Sequence, residues 1–173
     1  MSAPYLDQKI LKRLLRYDPK TGIFVWRRRP GVPHNSRYAG RVAGFDWQPA
    51  NTEIVYRSIR IFDWPFLGHR LAWLYMTGSW PKHQVDHADM DGLNNRWKNL
   101  RAATKQQNSL NRGASKRSST GLKGAYVYGS RFRSQIKIGS KLIYLGAYDT
   151  PQAAHEAYMV AAREHHGEFA RAE

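Results

Sequence analysis

The chain has 173 residues, room for one or two small domains and too few for a large multidomain enzyme. Its 28 Lys and Arg against 13 Asp and Glu leave a formal charge of +15, which argues for a polyanion as partner, nucleic acid ahead of an anionic membrane, and against a small acidic substrate. At 42% hydrophobic and 13% aromatic it is too apolar for a disordered polybasic tail, and without cysteine it excludes disulfides, iron–sulfur clusters, a thiolate nucleophile and cysteine-held zinc. No apolar run approaches a bilayer span and the first residues lack a secretion signal, so a cytoplasmic protein with no membrane partner is expected.

In chain order, Leu6, Ile10 and Leu14 recur at helical spacing and predict an amphipathic helix over Tyr5–Tyr17, stopped by the turn Asp18-Pro19-Lys20-Thr21-Gly22. Ile23–Arg27 and Glu53–Phe62 read as strands, with mostly loop over 28–52 between them. His69–Met76 reads as a buried helix ending at Thr77-Gly78. Asn111–Thr120 has no large apolar residue and reads as a flexible basic linker. Beyond it, strands at Ala125–Tyr128, Arg131–Ile138 and Leu142–Leu145 and a helix over Pro151–His165, capped by Thr150, make a βββα module. The expected division is a basic α+β region over 1–68, a core over 69–110, the linker over 111–120 and the βββα module over 121–173.

Charge is unevenly spread along this order. From Arg101 through Tyr148 there is no Asp or Glu, yet ten cations, which predicts a phosphate-tracking strip in which Arg112, Lys116 and Arg117 of the linker take part. Alternation along the middle strand sends Phe132, Ser134, Ile136 and Ile138 to one face and Arg131, Arg133, Gln135 and Lys137 to the other, where Tyr126, Tyr128 and Tyr144 are expected to join them. A cationic sheet face of this kind suits the major groove of duplex DNA, where Arg and Gln read base edges and Lys holds phosphates. Arg27, Arg28 and Arg29, following a strand in a basic region, are also assigned to phosphate. Trp26, Trp73 and Trp97 sit in apolar contexts and are expected in the core.

The segment Val85–Leu100 gathers three aspartates, one histidine and three asparagines. A helix-loop-helix calcium site fails, because His87 and Lys98 stand where its first acid and its bidentate Glu belong. What remains is Asp86-His87, an Asn eight residues after the His, and another four further on. A carboxylate and an amide oxygen suit Mg²⁺, and a neighbouring imidazole can take a proton from an attacking water. Elsewhere His155-Glu156 lacks the second histidine of a zinc-protease helix, since Met159 stands there, and His69 reads as a packed or capping residue.

Asp86-His87, Asn95 and Asn99-Leu100, preceded by His69-Arg70-Leu71-Ala72-Trp73, resemble HNH nucleases of the ββα-metal type, as found in phage homing endonucleases. From the Tyr17–Gly22 turn to Gly167-Glu168-Phe169-Ala170 the chain is similar to phage and prophage HNH proteins. Gly121-Leu122-Lys123-Gly124, Leu145–Thr150 and Ala153–Tyr158 resemble the DNA-binding domain of plant ethylene-response factors. The resemblance implies an α+β chain with a ββα-metal core and a separate three-stranded antiparallel sheet packed on one helix. It implies His87 as general base, Asp86 and Asn99 as ligands of Mg²⁺, with Mn²⁺ as substitute, and Asn95 as brace of the catalytic loop. DNA contacts are implied at Lys123, Tyr126, Tyr128, Arg131, Gln135, Lys137 and Tyr144; tyrosines replace arginines of the plant pattern at 126 and 128 and its tryptophan at 144. The expected activity is hydrolysis of double-stranded DNA by a monomer or a DNA-dependent dimer. The alternative is a DNA-binding regulator on the same fold without catalysis.

Overall fold

The computed structural model describes residues 4–28, 37–50, 52–111, 113–115 and 118–170. The chain divides into two compact units, 1–104 and 105–173.

In the first unit, helix α1 (Gln8–Leu14) is capped by Asp7, whose carboxylate accepts the Ile10 N–H at 2.7 Å. The helix predicted through Tyr17 ends three residues early, because Leu15–Asp18 leaves it as strand β1 and pairs with β2 (Ile23–Trp26). Leu15 and Tyr17 alternate inward along that strand, so they reach the same core that a longer helix would have reached. The turn between the strands closes on Asp18, whose carboxylate accepts from Lys20 N and Thr21 Oγ1, with Gly22 at φ 77°.

Strands β3 (Phe45–Trp47), β4 (Tyr56–Ile61) and β5 (Trp64–Leu67) form an antiparallel sheet with β4 central. Sequence patterning misses both outer strands. β3 has only three residues and owes its extension to pairing with β4, and β5 contains Pro65, which an edge position tolerates. Helix α2 (Gly68–Thr77) follows β5 and stops at Gly78, left-handed at φ 82°. Ile59 and Ile61 of β4 join Leu11, Leu15, Leu71 and Leu74 in one core, against which Trp26, Trp73 and Trp97 pack as expected. Each such buried aliphatic side chain contributes about 1.5–3 kcal/mol. Strands β6 (Gln84–His87) and β7 (Leu100–Ala103) form a second hairpin, joined through a polar loop and a 3₁₀ turn at Trp97–Asn99.

The second unit starts with α3 (Lys105–Leu110) and contains β8 (Ala125–Tyr128), β9 (Arg131–Ile138) and β10 (Lys141–Tyr148), antiparallel with β9 central, and helix α4 (Pro151–His166). Strand β10 runs three residues beyond the predicted end by way of an irregularity between Tyr144 and Gly146. Ile136 packs against Tyr158, Met159, Ala161 and Ala162, and the alanines let the helix lie close. A Cβ at Gly124 would come within 2.1 Å of the Tyr158 ring. Among the described residues no helix is long and apolar enough to cross a membrane.

Candidate active site

The β6–β7 hairpin sets the site. Its register places Asp86 opposite Arg101 and His87 opposite Leu100. Both Arg101 N–H groups, Nε at 3.0 Å and Nη2 at 2.9 Å, donate to Asp86 Oδ2, and the two side chains are 14% and 7% exposed. A carboxylate this buried needs a cation, and the strand pairing supplies one. Arg101, expected as the first cation of the phosphate-tracking strip, is instead paired with Asp86 in this site; the signal for that is the antiparallel register, fifteen residues across the loop.

The loop between the strands is held mostly by its own amides. Asp89 accepts Asn94 Nδ2 at 2.5 Å and Asn99 Nδ2 at 2.8 Å, while its own N–H donates to Asn99 Oδ1 at 3.2 Å. Asn99 Nδ2 also donates to the Asn94 carbonyl at 2.8 Å. Burial works against the Asp89 carboxylate, but these amides and the Asp91 N–H hold its pKa below the ordinary carboxylate value. Asn99, expected as a metal ligand, is therefore engaged through both amide atoms inside the loop. Met90 takes a left-handed φ of 63°, fixed by its N–H donating to the His87 carbonyl at 3.0 Å.

Asn95 is buried and lies 3.2 Å from His87 Nε2 through Oδ1, while its Nδ2 donates to the Leu93 carbonyl. With the amide so oriented, Nε2 donates, and the favoured tautomer keeps the imidazole lone pair on Nδ1. Burial lowers the His87 pKa below the ordinary histidine value, against the opposing pull of the Asn95 bond and the charges of Asp89, Asp86 and Asp91. The N-terminal hairpin braces this arrangement from outside. Tyr17 Oη donates to the Asn95 carbonyl at 2.6 Å, Trp97 N–H to the Pro19 carbonyl at 3.0 Å, and a Cβ at Gly22 would fall 2.5 Å from the Asn95 and Arg96 backbone.

His69 of α2 stands with its ring 4.9 Å from that of His87, edge to face, and Tyr56 of β4 lies 5.6 Å from His69 and 6.1 Å from His87. His69 is buried, its Nδ1 has no hydrogen-bond partner, and burial lowers its pKa to about 3. The packed histidine expected at 69 is thus also a wall of the site.

Among the described residues no three His, Asp or Glu side chains converge into a metal cage. The donor at hand is the buried Asp86 carboxylate, its Oδ2 held by Arg101, beside an imidazole; the Asn95 and Asn99 amide oxygens are taken up by His87 and by the Asp89 N–H. Few, hard donors fit an ion of the magnesium kind that keeps most of its waters.

In the second unit, register puts Tyr126 opposite Arg133, Tyr128 opposite Arg131 and Tyr144 opposite Gln135, so these residues share the outer face with Lys137. The Arg133 guanidinium lies 5.9 Å from both the Tyr126 and Tyr128 rings, and its Nε has no hydrogen-bond partner. Two of the expected contact residues have partners within the protein. Arg131 Nε donates to Asp149 at 2.8 Å, so the first acid after the cationic stretch folds back onto it. Lys123 donates through Nζ to the Leu110 carbonyl and lies over the Tyr158 ring of α4, on the helix side of the sheet. Arg27 and Arg28 are exposed, with Arg27 Nε donating to the Leu15 carbonyl. Arg29, Arg112, Lys116 and Arg117 lie outside the described residues.

No curated protein and no solved structure matches the chain. Residues 67–110, from the last residue of β5 through the His87 hairpin to the end of α3, match the family described as HNH endonuclease, a match that points to nuclease activity on DNA.

Proposed function

We propose that the chain is a metal-dependent endonuclease that hydrolyses phosphodiester bonds of double-stranded DNA, with His87 as general base and Asp86 as metal ligand. The observation that carries this reading is the His87–Asn95 contact at 3.2 Å, which fixes the imidazole and its tautomer beside a buried carboxylate. In this role His87 Nδ1 takes a proton from a water as its oxygen bonds to phosphorus and the bond to the leaving sugar oxygen breaks. Burial favours the neutral imidazole, the form that a base needs near pH 7. A divalent ion, Mg²⁺ or Mn²⁺, would neutralise charge developing on the phosphate oxygens. Asp86 would hold it, oriented by Arg101. Asn99 is assigned to bracing the Asp89 loop, because its amide is engaged there on both atoms.

Docking on duplex DNA is assigned to the outer sheet face of the second unit, through Tyr126, Tyr128, Arg133, Gln135, Lys137 and Tyr144, with the major groove as its place. The Arg133 guanidinium beside the Tyr126 and Tyr128 rings, on a face where Tyr128, Tyr144 and Lys137 are exposed and that carries no acid within its strands, supports this. Arg131 contributes less, because Asp149 competes with phosphate for its guanidinium. The phage homing type follows the resemblance of the motif, and one centre per chain suits nicking by a monomer.

The test is conversion of supercoiled plasmid and phage DNA in Mg²⁺, Mn²⁺ or EDTA. Open circles that form only with metal are the expected result. Salt-sensitive binding with no cleavage of any substrate in either metal would favour a DNA-binding regulator instead.

A further inference from the structure

The face of the sheet that carries Tyr56 is closed by the β6–β7 loop at Tyr56 and buried at Ser58, and is open along its edge at Phe45 and Trp47 and at Arg60. Register places Trp47 opposite Tyr56, Phe45 opposite Ser58, and Arg60 opposite Pro65, so these side chains share one face. Tyr56 is the residue of that face whose ring stands 6.1 Å from His87. Trp47 and Phe45 are 43% and 48% exposed on the edge strand, and Arg60 is exposed on the central one. No acid lies on this face within the three strands: Asp46 points the other way and is held by Arg57 at 2.7 Å.

Two large aromatic rings left half in water beside a catalytic centre are not explained by the core, which lies on the opposite face with Ile59 and Ile61. Residues two apart on a strand are separated by about 7 Å, the spacing at which sheet-borne aromatics receive successive unstacked bases. Bases inside a duplex offer no open ring face to such a platform. Arg60 further along the same face supplies a cation for the backbone of the same strand.

We propose that Trp47 and Phe45 stack unpaired bases of the strand being cut, with Arg60 on its phosphates, so that the nuclease acts preferentially where the bases flanking the scissile bond are unpaired. This rests on the nuclease reading above and narrows its substrate to DNA that is locally opened, such as a bubble, fork or frayed site.

One sequence is presented as perfect duplex, as the same duplex with a short mismatched bubble, and as single strand, and cleavage is followed in Mg²⁺. Wild type is expected to cut the bubble with a KM about tenfold lower than for the duplex, and Trp47→Ala with Phe45→Ala to remove that preference while kcat stays within about threefold. Trp47→Phe, which keeps a ring, is expected to retain it. Independently, full-length His87→Ala, which leaves the DNA intact, is irradiated with bubble DNA carrying 5-iododeoxyuridine, and the adduct is expected in the peptide containing Phe45 and Trp47. Equal cleavage of bubble and duplex by wild type, or a preference that survives the double substitution, would overturn the proposal and leave the nuclease reading standing. No cleavage of any form would remove both. Loss of self-association in the double variant with bubble preference unchanged would identify the face as a contact between copies of this chain, and the proposal would be wrong.

Discussion

The loop around His87 and the outer sheet face of the second unit are both rich in polar side chains, but they spend them in opposite ways. In the loop nearly every named group is bonded inward: Asn95 to His87, Asn99 and Asn94 to Asp89, Asp86 to Arg101. On the sheet, Tyr128 and Tyr144 are 60% and 62% exposed and Lys137 stands in solvent beside them. Polar residues that satisfy one another build geometry, whereas polar and aromatic residues left open await a ligand. The first region should therefore respond to mutation through stability and rate, the second through affinity and salt.

The largest stability effect is expected at Arg101. Removing it strands the Asp86 carboxylate in a 7% exposed position, and loss of one partner of such a pair costs about 3–5 kcal/mol. Urea denaturation of Arg101→Ala should show this, with Arg101→Lys in between; a change below about 1 kcal/mol would mean the pair behaves as a surface bridge.

Acid should weaken the first unit through His69. Its value of about 3 in the fold lies below the ordinary 6.5, so between these limits the unfolded chain binds a proton that the folded one does not. This contribution is whole above pH 6.5 and falls by about 1.4 kcal/mol per unit as pH drops through the window. His69→Phe should flatten the slope of stability against pH, and an unchanged slope would place the proton elsewhere.

Asn99→Ala should cost about 0.5–1.5 kcal/mol, because the hydrogen bonds it removes from Asp89 are exposed and water can replace them. The same variant separates bracing from ligation. A brace predicts that activity returns partly at low temperature with an unchanged Mg²⁺ midpoint, and a ligand predicts a midpoint moved to higher Mg²⁺.

The smallest effects belong to the sheet. Arg133→Ala should leave the melting temperature nearly unchanged, and where that guanidinium neutralises a phosphate it should reduce the slope of log affinity against log salt by about 0.9. Arg131→Ala, with its charge already met by Asp149, should change the slope less, and the reverse order would contradict the contrast drawn between these two arginines.

What was legible in the sequence follows the range of the interactions. The Asp86-His87, Asn95 and Asn99 spacing could be read because the loop's bonds span ten residues or fewer. The βββα order was legible because alternation, turn glycines and the Thr150 cap are all local signals. Contacts made by distant segments were hidden. Tyr17 reaches Asn95 across 78 residues, and His69 and Tyr56 come to His87 only through the packing of α2 and β4. The overlong first helix has the same origin, since Leu15 and Tyr17 fit a helical stripe and a strand alternation equally, and pairing with β2 decides between them.

The role proposed for His87 lies in the reaction and not in the binding of DNA. The direct measurement is affinity and single-turnover cleavage for wild type and His87→Ala on the same DNA in Mg²⁺. Affinity is expected to stay within about twofold and the rate to fall by about 10²–10⁴, the range for loss of a general base. Equal rates, or a fall in rate matched by an equal fall in affinity, would contradict it.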